Sequence, residues 1–123
     1  MDVLISIKPK YVNEIINGNK KYEFRKHAFK KPVDYIYIYE TRPIMKVTHK
    51  FKLTDVIIDT PNNIWNKCSS VSGMNLSDFS RYYQNSNKAV AIKIDKLETL
   101  EEPLSLSDLD VKQAPQSFIY LNH

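Results

Sequence analysis

The 123-residue sequence predicts a single-domain α+β protein, a small and strongly curved mixed sheet or barrel with short helices at its rim. Three observations carry this expectation. Several short segments alternate apolar and polar residues at the two-residue period of strands. Helical periodicity is confined to short stretches bounded by proline, glycine or capping residues. No Pro/Gly/Ser linker, internal repeat or low-complexity run divides residues 1–123, and a chain of this length can bury a core without a disulfide or metal.

Residues 3–7, VLISI, read as a short buried strand, and Pro9 sits where a first helical position tolerates a missing N–H. The helix over 9–17 places Tyr11, Val12, Ile15 and Ile16 on one face, and Gly18 supplies the left-handed residue that ends it. In KYEFR, Tyr22 and Phe24 point to the core while Lys21, Glu23 and Arg25 point the other way. YIYIY at 35–39 is a second alternating strand, with its isoleucines on one face and its tyrosines on the other. From Met45 to Leu53, Met45, Val47, His49, Phe51 and Leu53 share one face against Lys46, Thr48, Lys50 and Lys52. VII at 56–58 continues that strand past a bulge until Pro61 stops it. Thr60 caps a helix near 62–67, and Ser77 or Asn75 caps another near 78–84. KAVAIKID is a strand, LETLEEPLSLSDLD a strand end with one helical turn, and QSFIYL a last strand closing the sheet.

The formal charge of +4 is unevenly distributed: residues 1–54 carry twelve Lys/Arg against five Asp/Glu, and residues 55–123 carry six against nine. An anionic partner for the first half, nucleic acid above all, is one reading, and chance with solubility is the other. Cys68 is the single cysteine, so no intrachain disulfide forms, and with neither an apolar leader nor an apolar span of about 20 residues the expectation is a cytoplasmic protein without membrane contact. His27, His49 and His123 have no metal-ligand spacing, and no cofactor is expected. The absence of a glycine-rich phosphate loop removes the usual nucleoside triphosphate hydrolases.

The densest chemistry lies in GNKKYEFRK, residues 18–26. The turn after the first helix puts Lys20 at a rim, and alternation sets Glu23 and Arg25 on one strand face about 7 Å apart. Arginine offers a planar fork to phosphate, lysine a point charge, and a carboxylate accepts from a base amine. The bland alternative is a surface ion pair contributing about 0–1 kcal/mol. Tyr39, Thr41, Lys8 and Ser117 are further candidates, each with a packing or turn role as the competing reading. Lys46, Lys50 and Lys52 form either a basic track for phosphates or a lysine-protected edge strand.

SIKPKYVNEIINGNKKYEFRK at 6–26, YIYETRPI at 37–44, NLSDF in the second helical region and PQSFIYL at 115–121 together resemble an ASCH domain of the PUA-like superfamily. The resemblance implies a pseudo-barrel with a cleft between the first helix, the second strand and the later helices. Relatives bind RNA, and some hydrolyse acetylated cytidine nucleosides or RNA. In the amidohydrolase branch a lysine stands at Lys20, a threonine at Glu23 and a glutamate at Ser72–Gly73, so two of three catalytic positions depart. The expectation is therefore a module binding RNA or a modified nucleoside. The alternatives are a small nucleoside amidohydrolase or ribonuclease using Lys20 and Glu23, and a protein-interaction module. The sequence leaves oligomeric state open.

Overall fold

The computed structural model describes residues 1–122, so that His123 lies outside the described residues. In chain order the elements are β1 (Asp2–Ile7), α1 (Pro9–Ile16), β2 (Tyr22–Arg25), β3 (Tyr35–Glu40), β4 (Lys46–Lys52), β5 (Val56–Asp59), α2 (Pro61–Cys68), α3 (Leu76–Tyr82), β6 (Ala89–Lys93), β7 (Glu98–Leu104) and β8 (Phe118–Leu121). Single 3-10 turns follow α2 at Ser69–Val71 and β7 at Ser107–Leu109.

The α+β class holds, but the strands do not close into a barrel. They form a five-stranded sheet in the order β7-β4-β3-β1-β8 and a three-stranded sheet in the order β2-β6-β5. Among the described residues only β1 and β3 run parallel, and β8 pairs antiparallel with β1 as an edge rather than as a closing strand. The segment after β4 does not continue it. Leu53 donates its N–H to the Asp34 carbonyl, the chain turns, and β5 pairs with β6 in the other sheet.

Three apolar clusters give the layering. Val3, Ile5 and Ile7 of β1, Ile36 and Ile38 of β3, Phe51, and Val90 and Ile92 of β6 meet between the sheets, with Val12 and Ile15 of α1 plugging one end. Each such aliphatic side chain contributes about 1.5–3 kcal/mol by leaving water. Phe24, Ala89 and Ala91 pack the outer face of the small sheet against Ile64 and Cys68 of α2 and Phe79 and Tyr83. Leu4, Tyr39, Val47 and Leu121 form the third cluster, covered by residues of β7 and the chain after it. Strands β1 and β3 are thus buried on both faces.

Local chemistry explains the element ends. Gly18, at φ +83°, ends α1, and its N–H reaches the Ile15 carbonyl. Ile16 is 55% exposed, so the buried face of α1 is narrower than the spacing suggests. Thr60 Oγ1 accepts from the Asn63 N–H at the start of α2, and Asn75, not Ser77, caps α3 by accepting from the Asp78 N–H. Met45, at φ 55°, precedes β4 rather than starting it. No helix among the described residues is long and apolar enough to cross a membrane.

Candidate functional site

The turn ending α1 carries Lys20 into the interior: its N–H donates to the Glu14 carbonyl, and its backbone bridges to Ser72. Only 2% of Lys20 is exposed. Its Nζ donates to the Ser72 carbonyl at 2.8 Å and lies 4.7 Å from the Phe24 ring centroid and 5.2 Å from that of Tyr11. Burial lowers the Lys20 pKa from the usual 10.5; the Glu23 carboxylate opposes this, and the Arg25 guanidinium reinforces it.

Glu23 and Arg25 are opposite Ile92 and Val90 of β6, on the face that looks into the inter-sheet core. They form a buried pair rather than a solvated one: Arg25 Nη1 donates to Glu23 Oε1 at 2.8 Å, with side-chain exposures of 10% and 8%. Nη1 also donates to the Phe24 carbonyl at 2.7 Å, and Nη2 donates to the Ser6 carbonyl of β1 at 2.6 Å. The fork that could meet a phosphate is therefore spent on joining the two sheets. Glu23 Oε2 and Arg25 Nε are buried without a hydrogen-bond partner among the described residues. Two such atoms in one buried pair are uncommon in packed scaffold.

This pair is part of the wall of a cleft of about 420 Å³. Ser6, Ile7, Lys8, Lys10 and Tyr11 line it from β1 and α1, Lys20, Glu23, Phe24 and Arg25 from the turn and β2, Met74, Asp78, Arg81 and Tyr82 from the α3 region, and Gln116 and Ser117 from the approach to β8. Lys10 stacks over Tyr11 at 4.9 Å, and Lys26 over Tyr82 at 5.0 Å. Arg81 Nη1 lies 3.6 Å from Asp78.

Of the residues expected from the sequence, Lys8, Lys20, Glu23, Arg25 and Ser117 meet here. Tyr39 does not. It is 4% exposed and packs with Leu4, Val47 and Leu121, because β3 is a central strand with both faces covered. Thr41 is also absent from the lining; its N–H donates to the Ile7 carbonyl and its carbonyl accepts from Ile44 in the turn ahead of β4. The Ser117 carbonyl accepts from the Ser6 N–H, so its backbone serves the sheet while the residue faces the cleft. Sequence reasoning missed Lys10, Tyr11, Met74, Asp78, Arg81 and Tyr82 as cleft residues. A signal existed for α3: Phe79 and Tyr83 are buried, which leaves Asp78, Arg81 and Tyr82, spaced i, i+3, i+4, on an adjoining face. Among the described residues no group of three or more His, Cys, Asp or Glu could hold a metal ion.

The crystal structure of ASCH from Zymomonas mobilis superposes with a TM-score of 0.86 at 25% identity, covering 98% of this chain and 87% of that one. At the same identity the chain matches an ASCH domain-containing ribonuclease from Zymomonas mobilis, over 98% of this chain and 84% of that protein. It is also 29% identical to part of large ribosomal subunit protein uL22 and 27% identical to part of ATP synthase subunit alpha, both from Ureaplasma parvum and each over 97% of this chain. The chain spans 39% and 15% of those two proteins. Residues 5–98 match the ASCH domain model, and with the fold agreeing over nearly its whole length, this chain belongs to the ASCH domain family.

Proposed function

We propose that the cleft binds RNA through a single-stranded or looped segment. The observation that carries this reading is the lining itself: Lys8, Lys10 and Arg81 bring cationic side chains to a recess with three aromatic rings, Tyr11, Phe24 and Tyr82, while Lys20 and Arg25 are held by protein partners within it. Cationic side chains draw the phosphate backbone, while ring faces accept unstacked bases of any sequence. A double helix keeps its bases stacked and cannot place one in a recess of this size. The similarity to part of a large ribosomal subunit protein supports a binding module that also works as a segment of longer chains.

A second reading, RNA hydrolysis, has its own support in Lys20 and Glu23. The lysine is buried with its proton affinity lowered, it neighbours a carboxylate, and a relative covered over most of its length is a ribonuclease. One experiment addresses both readings. Labelled single-stranded and duplex RNA of one composition are titrated at low salt and then incubated for cleavage, with Lys20→Ala and Glu23→Gln alongside the parent. Binding of the single strand over the duplex is expected. Cleavage lost in both variants with affinity retained would make the cleft catalytic, and absence of binding at low salt would remove RNA as its ligand.

A further inference from the structure

The Ser72–Gly73 turn, between the 3-10 turn after α2 and the start of α3, has no assigned task, yet it is built around one side chain. The Ser72 carbonyl accepts a hydrogen bond from Lys20 Nζ at 2.8 Å. Gly73 sits at φ +68°, and a Cβ added to it would lie 2.4 Å from Lys20 Cβ, 2.9 Å from Cγ and 3.1 Å from Cδ. Real Cβ atoms do not approach carbon so closely, so any side chain at 73 must push the lysine stem aside. The turn is itself anchored. Ser72 Oγ donates within reach of the Ser69 and Met74 carbonyls and accepts from the Met74 N–H, and the Lys21 N–H donates to the Val71 carbonyl. Ser72 is 1% exposed.

We propose that the Ser72–Gly73 turn is a positioning element for Lys20: the bare Cα of Gly73 leaves the channel through which the lysine stem enters the cleft, and the Ser72 carbonyl fixes its nitrogen there. A neutral carbonyl at this point holds an amine or an ammonium by one hydrogen bond without the charge that would lock it as a cation. Lys20 then differs from Lys8 and Lys10, which line the same cleft, because it alone is held from behind. This deepens the RNA reading of the cleft and rests on it only where RNA is the readout.

The test uses the two glycines of the chain against each other. Both have positive φ, but a Cβ at Gly18 meets nothing within 4 Å, so Gly18→Ala reproduces the backbone strain without touching Lys20. Lysine Cε resonances are followed by NMR through an alkaline titration in the parent, Gly18→Ala, Gly73→Ala and the milder Ser72→Ala, and single-stranded RNA affinity is measured on each. In the parent, Lys20 should titrate below the other lysines. Gly73→Ala should move its midpoint toward theirs and weaken RNA binding at least about tenfold, the worth of one charged hydrogen bond. Ser72→Ala should shift it in the same direction by less, and Gly18→Ala should leave it unmoved. Equal Lys20 midpoints in Gly73→Ala and Gly18→Ala would overturn the proposal, as would equal shifts from the parent in both. If Gly73→Ala does not fold, an unshifted midpoint in Ser72→Ala overturns it. A parent that binds no RNA, with the midpoints behaving as expected, would sink the RNA reading and leave the positioning role standing.

Discussion

Arg25 shows how the meaning of one residue changes between sequence and structure. Alternation placed it beside Glu23 correctly, but strand period says nothing of what a face meets, and this face meets the other sheet. Arg25 spans from β2 to the Ser6 carbonyl of β1 while holding Glu23 Oε1, so it serves the fold as well as the cleft. Breaking a buried ion pair by removing one partner leaves an uncompensated charge in low dielectric, typically at a cost of about 3–5 kcal/mol. Arg25→Ala should therefore destabilise the domain by about 3 kcal/mol in urea unfolding, well beyond the loss of an exposed pair. Glu23→Gln keeps an acceptor for Nη1 and should cost much less. A change below about 1 kcal/mol for Arg25→Ala would mean that the cross-sheet contact carries no stability.

At the level of elements, most strands and all three helices were legible because period and capping residues are local. Beside the placing of β5 in the other sheet, what escaped was a single added residue. The β3–β4 register pairs Ile38 with His49 but Tyr39 with Val47, so Thr48 bulges out and Val47 turns to the face opposite Phe51. The bulge carries a partly buried polar trio: Thr48 Oγ1 donates to Glu40 Oε2 at 2.7 Å and lies 2.7 Å from His49 Nδ1. A hydroxyl has one proton, so Nδ1 is the donor to Oγ1. Burial holds His49 below the usual imidazole value of 6.5, and Glu40, 4.0 Å away, opposes this in part. The unfolded chain then binds the proton first, so stability falls as pH drops below about 6.5 toward the lower folded-state value. Melting temperature against pH should decline less steeply in His49→Gln over that interval. Parallel curves for parent and variant would place the acid sensitivity elsewhere.

For the molecule as a whole, the charge split of the sequence puts most cations in the first half but does not say which of them reach one surface. Lys8, Lys10, Lys20 and Arg25 come from the basic half, while Arg81 arrives on α3 from the acidic half, an assembly that only the tertiary fold creates. Of the two forms that the sequence left open, mixed sheet or barrel, the choice was illegible for a related reason. Alternation identifies strands, but the choice between one sheet and two depends on where Leu53 turns the chain toward β5, a backbone contact with Asp34 that no residue type announces. The fold also sets how strongly salt should weaken RNA binding. Lys20 is engaged by Ser72 and the Arg25 fork by Glu23, Phe24 and Ser6, which leaves Lys8, Lys10 and Arg81, the last exposed and able to exchange its surface contact with Asp78, as the lining cations that displace counterions from phosphates. At about −0.7 per contact on a single strand, three contacts give a slope of about −2 for log affinity against log salt. Lys8→Ala and Lys10→Ala should each make that slope shallower by about 0.7. Lys20→Ala should lower affinity with the slope nearly unchanged, because its partner in the cleft is not a phosphate. A parental slope near zero, or an equal slope change in all three variants, would show that the cleft does not divide its cations in this way.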